Sequence, residues 1–241
     1  RCRHSWCHRE PSAALWRCTP EALWSKAARQ WHERPRPLTN WPEGEVEEIE
    51  AANNPEDPAA GSRTLRFGRE LWIEQEDFME NPPKKFFRLG PDRHVRLKGG
   101  HIIRCNSFEK DADGNVTLIR AEILSGTVGM DAPEVVVCKS AIHWVDAATG
   151  HDAEVRLYDR LFLVENPDDQ EEGFLSALNP DSLSILQAKI EPALATMEAG
   201  GFCQFERTGY FVADRKDHLP GQKAVFNRSV GLKDSWAKAA K

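Results

Sequence analysis

No run of about 18 apolar residues occurs anywhere in the 241-residue chain, which excludes a helical membrane span. Arg1 to Arg9 lead into no continuous apolar stretch, so the start does not read as a secretory signal. The six cysteines are too scattered for a disulfide framework. Cys105, Cys138 and Cys203 stand alone in apolar, strand-like surroundings and read as buried free thiols of a reducing compartment. The sequence also lacks a glycine-rich phosphate loop, a G-x-S-x-G nucleophile elbow, an H-E-x-x-H zinc motif and any internal repeat. With 40% hydrophobic and 29% charged residues, what is left is a soluble globular class and a binding role rather than a catalytic one.

Net charge is −6, which argues against a nucleic-acid partner only if charge is spread evenly. It is not, and salt screens beyond roughly 8–10 Å, so local density decides. Residues 84–104 carry Lys84, Lys85, Arg88, Arg93, Arg96, Lys98 and Arg104 against Asp92 alone, with His94 and His101 added. Residues 1–36 are also basic, with eight Lys or Arg against three Glu, and hold four of the eight tryptophans. That segment has no sustained period, apart from Leu23, Ala27 and Trp31 on one face of a possible short helix. Its Cys and His spacings fit no zinc finger or ribbon. Residues 1–37 are therefore expected to be an atypical leader, disordered or artefactual.

From residue 37 the pattern is one of short β-rich runs between turn signals. The runs are 69–75, 94–105, 115–124, 134–145, 154–164, 202–212 and 223–232, with turns at Gly99-Gly100, Asp113-Gly114 and Pro220-Gly221. One helix is expected over 181–191, where Leu183, Leu186 and Ile190 share a face and Pro192 stops the run. The KDADGN stretch at 110–115 reads as a hairpin turn, because a calcium loop would need further acidic ligands. No metal site is expected.

The basic stripe carries the chemistry. Alternation in HVRLK (94–98) puts Val95 and Leu97 on one face and His94, Arg96 and Lys98 on the other, about 7 Å apart, near the phosphate spacing of a nucleic-acid strand. In KKFFRL (84–89), Phe86 and Phe87 interleave with Lys84, Lys85 and Arg88, a composition suited to splayed single-stranded bases.

The stretches NWPEGEVEEIEAANNPEDP, RELWIEQEDFMENPPKKFFRL, EVRLYDRLF, CQFERTGYF and VFNRSVGLKDSWAK occur in the order and at roughly the spacing of the anticodon-binding region of glutaminyl-tRNA synthetases, which the chain resembles from about Thr39 to Lys238. The resemblance implies a mainly β fold of two antiparallel barrels, of a type also found in a ribosomal 5S RNA-binding protein, with one or two short helices. It implies a proximal barrel from 38–70 plus 160–236 and a distal barrel from 71–159. It places Arg88 at the third anticodon base, Arg96 and Lys98 at the first, and Gln204 and Arg207 at the middle one. Lys85 stands where some members have glutamine. Lys98 keeps a charge but lacks the forked donors of arginine. Gln204 and Arg207 would face opposite ways on a regular strand, so a bulge or strand end is needed to bring them together.

The parent activity implied is ATP- and magnesium-dependent ligation of glutamine to its tRNA. The HIGH-like and KMSKS-like ATP motifs are absent from these residues, so the chain is expected to bind no cofactor and to be inactive alone. Implied partners are the glutamine tRNA and the catalytic domain of the same enzyme, with no DNA or membrane partner, a monomeric state and a cytoplasmic location. The glutamyl enzyme of the eukaryotic and archaeal type is the competing reading, followed by a stand-alone RNA-binding barrel.

Overall fold

The computed structural model describes residues 36–54 and 57–231, and β-strands dominate them. The expectations for the leader, its possible helix at 20–31 and its Cys and His residues fall almost entirely outside the described residues. Strand β1 (Arg36–Pro37) leads to the hairpin of β2 (Glu47–Ala52) and β3 (Ser62–Phe67). Next come β4 (Glu70–Ile73), β5 (His94–Leu97), β6 (Ile102–Lys110), β7 (Val116–Leu124), β8 (Ala141–Ile142) and β9 (Trp144–Asp146). They form a three-stranded sheet in the order β1-β4-β9 and a four-stranded sheet in the order β7-β6-β5-β8. Both turn signals of the four-stranded sheet are used. Gly99, at φ +71°, lies between β5 and β6. Between β6 and β7 the Asp111 carboxylate accepts the Asp113 and Asn115 backbone N–H groups at 3.0 and 2.8 Å, the hairpin reading of KDADGN.

Among the described residues from 151 onward, five strands build one sheet. Strands β10 (His151–Tyr158), β11 (Leu183–Ile190), β12 (Phe202–Phe205), β13 (Gly209–Ala213) and β14 (Ala224–Gly231) take the order β11-β10-β14-β13-β12. A four-residue helix, α1 (Pro192–Ala195), packs its Leu194 and Ala195 into the core beneath.

Alternation decides which side chains go inside. In β5, Val95 and Leu97 are fully buried while His94 and Arg96 are half-exposed. Two buried clusters result. The first is drawn from Leu38 to Trp144 and centres on Phe67, whose ring meets Trp144 and His101 at 5.3 and 5.0 Å. The second is drawn from Ala153 to Phe226, with Phe205 and Phe211 stacked at 3.9 Å and Phe226 edge-on at 5.6 Å. The buried Leu38, Ile49, Leu65 and Phe67 belong to the first cluster, with residues of 71–144.

Three expectations need correction. The sheets do not close into barrels among the described residues. β5 meets only a two-residue parallel strand on its outer side, and beyond the named strands the pairing is by single bridges, Leu38 with Ala121 and Pro91 with Cys105. The helix expected over 181–191 is strand β11, paired with β10 along all eight of its residues. Leu186, Ala188 and Ile190 alternate toward the core, so Leu186 and Ile190 satisfy a period of two, while Leu183 falls on the other face and is exposed. Pro192 does not end a helix; it starts α1 at the position where a missing N–H costs nothing. The runs at 134–145 and 154–164 are strands only in part. Residues 134–140 stay out of the sheet with Val135 and Val137 exposed, and Leu161 and Leu163 are exposed beyond the end of β10.

Candidate nucleic-acid interface

The segment after β4 is held by its backbone. A short turn at Gln75–Asp77 leads to Phe78, and the Leu89 N–H donates to the Asp77 carbonyl at 2.9 Å while the Met79 N–H donates to the Leu89 carbonyl at 3.1 Å. Lys84 to Arg88 therefore form a loop clamped at its root. Arg93 donates to the Phe86 carbonyl at 2.7 Å, and the Ser140 hydroxyl donates to the Phe87 carbonyl. The Arg96 N–H donates to the Ser140 carbonyl at 3.2 Å, which ties this loop to β5.

Beside the loop opens a cavity of about 430 Å³ lined by Lys84, Phe86, Phe87, Arg88, Arg93, His94, Val135, Val137 and Lys139, with Asp92 the one carboxylate. Asp92 is paired with Arg104 at 2.8 Å. The cations lie over rings, Arg88 at 5.9 Å from the Phe86 centroid and Lys139 at 5.3 Å from that of Phe87. Burial, and then the Arg104 guanidinium, hold His94 below its ordinary value, so it faces the cavity neutral at pH 7 and can donate or accept. The wall thus presents positive charge, two aromatic faces and a neutral imidazole. That combination can hold a planar base attached to a phosphate backbone.

Arg88 faces this cavity but is also held from behind, with its Nη1 3.0 Å from the Glu76 carbonyl and 3.4 Å from Asp77. Arg207 reaches the same Asp77 carboxylate from the second core with two 2.6 Å hydrogen bonds, and contacts Glu74 at 3.2 Å. It sits in the turn between β12 and β13 at φ +61°, one of two non-glycine residues at positive φ among those described. The required strand end is therefore present: β12 stops at Phe205, with Gln204 half-exposed on it and Arg207 in the turn that follows. Burial, and then the Asp77 charge, push the Glu74 carboxyl up to about 8 against the pull of Arg207. Near pH 7 the Arg207–Glu74 contact is thus mostly a hydrogen bond to a neutral acid.

Arg96 is engaged otherwise. Its guanidinium donates to the carbonyls of Thr127 and Met130, both at 2.6 Å. Lys98 lines a different cavity of about 190 Å³, walled by Arg63, Leu65, His143, Trp144 and Glu191. Lys85 is exposed, and the lysine that lines the larger cavity is its neighbour Lys84. The structure therefore brings Arg88 and Arg207 together, sets Arg96 close behind the same loop, and places Lys98 and Lys85 apart. Glu74, Asp77 and Lys139 are additions that the charge pattern did not single out. Glu74 and Asp77 read as ordinary surface acids in EQED, and Lys139 lies within the 134–145 run that read as strand.

Residues 35–124 and 141–214 each match a family described as tRNA synthetases class I (E and Q), anti-codon binding domain. The chain is 53% identical over 205 residues to a glutamine–tRNA ligase of Cupriavidus taiwanensis, an overlap covering 83% of this chain and 34% of that protein. It is 52% identical over 203 residues to the glutamine–tRNA ligase of Nitrobacter hamburgensis, with 84% and 36% covered. It is 50% identical over 204 residues to that of Bordetella avium, with 83% and 34% covered. The chain spans about a third of the length of these curated relatives.

Proposed function

The chain belongs to the anticodon-binding region of class I tRNA synthetases for glutamate and glutamine, and on that premise we propose that it reads the anticodon loop of glutamine tRNA for a glutamine–tRNA ligase. Relatives at 50–53% identity named for glutamine favour that branch over the glutamyl one. The observation that carries the reading is the cavity beside Arg88 lined by cations and by the rings of Phe86 and Phe87. Its shape and charge suit an unstacked base, and sequence-specific RNA recognition works mainly on such splayed bases.

In this reading Arg88 serves the third anticodon base, Gln204 and Arg207 the middle one, and Arg96 and Lys98 the first, with Lys85 adding charge near the backbone. Arg96 is held by two loop carbonyls, so its remaining donors are pre-aimed. Ligation itself, with its ATP and magnesium, would lie in a catalytic domain outside these residues, to which this region would be joined in one cytoplasmic, monomeric enzyme. Among the described residues no helix is long and apolar enough to cross a membrane.

The test is binding of the chain to a glutamine-tRNA anticodon stem-loop and to one altered at the third anticodon base, at two salt concentrations. Arg88→Ala is expected to weaken the matched RNA by about 1–3 kcal/mol and the altered one far less. Lys98→Ala is expected to weaken both alike and to lower the salt slope by about one ion. Equal losses for both RNAs on Arg88→Ala would overturn the reading of Arg88 as a base contact.

A further inference from the structure

Asp77 is a carboxylate with no solvent exposure, and it is bonded to side chains from both halves of the molecule. Such a group is costly to bury unless its lone pairs are filled by cations in good geometry. Both oxygens accept from Arg207, a fork-to-fork arrangement across 130 positions of sequence, and the Oδ1 that accepts from Nη1 of Arg207 lies 3.4 Å from Nη1 of Arg88. The Asp77 backbone carbonyl meanwhile accepts from Leu89, the residue next to Arg88, so side chain and main chain pull on the same loop. The backbone at Arg207 is in the left-handed region, a conformation that costs of order 1 kcal/mol for a non-glycine residue and persists where surroundings impose it. The turn hydrogen bond from the Thr208 N–H to the Phe205 carbonyl at 3.0 Å holds it locally, and the Asp77 fork with the Glu74 contact holds it from the other region.

We propose that Asp77 is a positioning residue that makes Arg88 and Arg207 one unit, so that the two anticodon bases they serve are read jointly and not independently. The proposal rests on the anticodon reading above and adds a coupling that the reading does not require. A shift of either guanidinium moves the shared carboxylate, and with it the other guanidinium and the root of the Phe86–Phe87 loop. Discrimination at one base then depends on the arginine that faces the other.

The experiment is a double-mutant cycle of Arg88→Ala and Arg207→Ala, repeated in Asp77→Asn. Each protein is titrated with three stem-loops: the glutamine-tRNA anticodon, that RNA altered at the middle base, and that RNA altered at the third base. Arg207→Ala is expected to lower discrimination at the third base as well as the middle one, and Arg88→Ala the reverse. The double variant is expected to lose less than the product of the single losses. Asp77→Asn is expected to lower discrimination at both positions by about tenfold each, the size of one good base contact. If each arginine affects its own base only, with losses that multiply, the coupling is overturned. If Asp77→Asn weakens all three RNAs equally, Asp77 is structural glue and the proposal fails. Thermal unfolding checks that Asp77→Asn folds; if it does not, the cycle on Arg88 and Arg207, both partly exposed, decides alone. An unmodified chain that binds all three RNAs equally would instead sink the anticodon reading itself, a result distinct from discrimination without coupling.

Discussion

The region from Leu38 to Trp144 and the region from Ala153 to Phe226 are both β-structures around a buried cluster, but they use strands differently. The first wraps three small sheets around Phe67 and leaves long connections between them, among them the Phe86–Phe87 loop and residues 134–140. The second is one five-stranded sheet on a stacked aromatic core. Loops held at their roots can present donors and ring faces to a ligand, whereas a continuous ladder engages its own donors and acceptors. Accordingly the cavity lies in the first region, and the second contributes Arg207 from a turn.

The regions are also joined by charge as well as by packing, and the two joints are mirror images in ownership. At one, Glu191 of the second region accepts from Arg63 at 2.5 Å and pairs with His143 at 2.9 Å, both of the first. At the other, Asp77 and Glu74 of the first region receive Arg207 of the second. Glu191→Ala is the sharpest way to break the first joint. It strips a carboxylate from a guanidinium whose side chain is only 7% exposed, and should cost about 3–5 kcal/mol in urea unfolding. A cost under about 1 kcal/mol would show that the joint behaves as an exposed pair.

A smaller effect should come from the turn that delivers Arg207. A Cβ at Gly209 would lie 2.4 Å from the Val230 carbonyl oxygen, so the backbone of β14 must move. Gly209→Ala should cost about 1–3 kcal/mol in the same unfolding assay, the usual range for overpacking a tight site. It should also weaken stem-loop binding, because Arg207 starts from that turn. Unchanged binding with the stability loss present would separate the second region from recognition.

The smallest effect is in pH. Burial alone would raise the Glu191 carboxyl, but hydrogen bonds from His143 and Arg63 outweigh it and hold the group below its ordinary value of 4.5. Its contribution is therefore present above pH 4.5 and is lost on acidification below that. Glu74 is displaced the other way, up to about 8. Its contribution is full below about pH 4.5 and falls as pH rises through about 8. The two joints should respond to pH with opposite signs. Glu74→Gln should flatten the decline in unfolding midpoint between pH 5 and 9 and leave the acid limb in place. A decline that survives this substitution would mean that Glu74 is not its source.

Much of this was legible in the sequence. The β class, the burial of Val95 and Leu97, the hairpin turns at Gly99 and Gly114, and the cationic and aromatic character of 84–104 all follow from alternation, turn chemistry and local charge density. These are properties of residues near one another in the chain, and local sterics are enough to state them. The strand at 183–190 was not legible, since Leu186 and Ile190 fit both periods and only the ladder offered by β10 chose between them; Leu183, which fits the helical period alone, is left exposed. Nor were the open sheets, whose neighbours meet through single bridges such as that of Leu38 with Ala121, residues far apart in the chain. The meeting of Arg88 and Arg207 at Asp77 lies furthest from local reading. Nothing in EQED distinguishes a solvated acid from a buried one, and the guanidinium that makes burial tolerable arrives from 130 residues away. The sequence by itself determined which residues prefer the inside of a strand and where positive charge is dense. Only the tertiary structure decided which strands pair and which carboxylate loses its water, because both depend on partners that the chain brings together only when it folds.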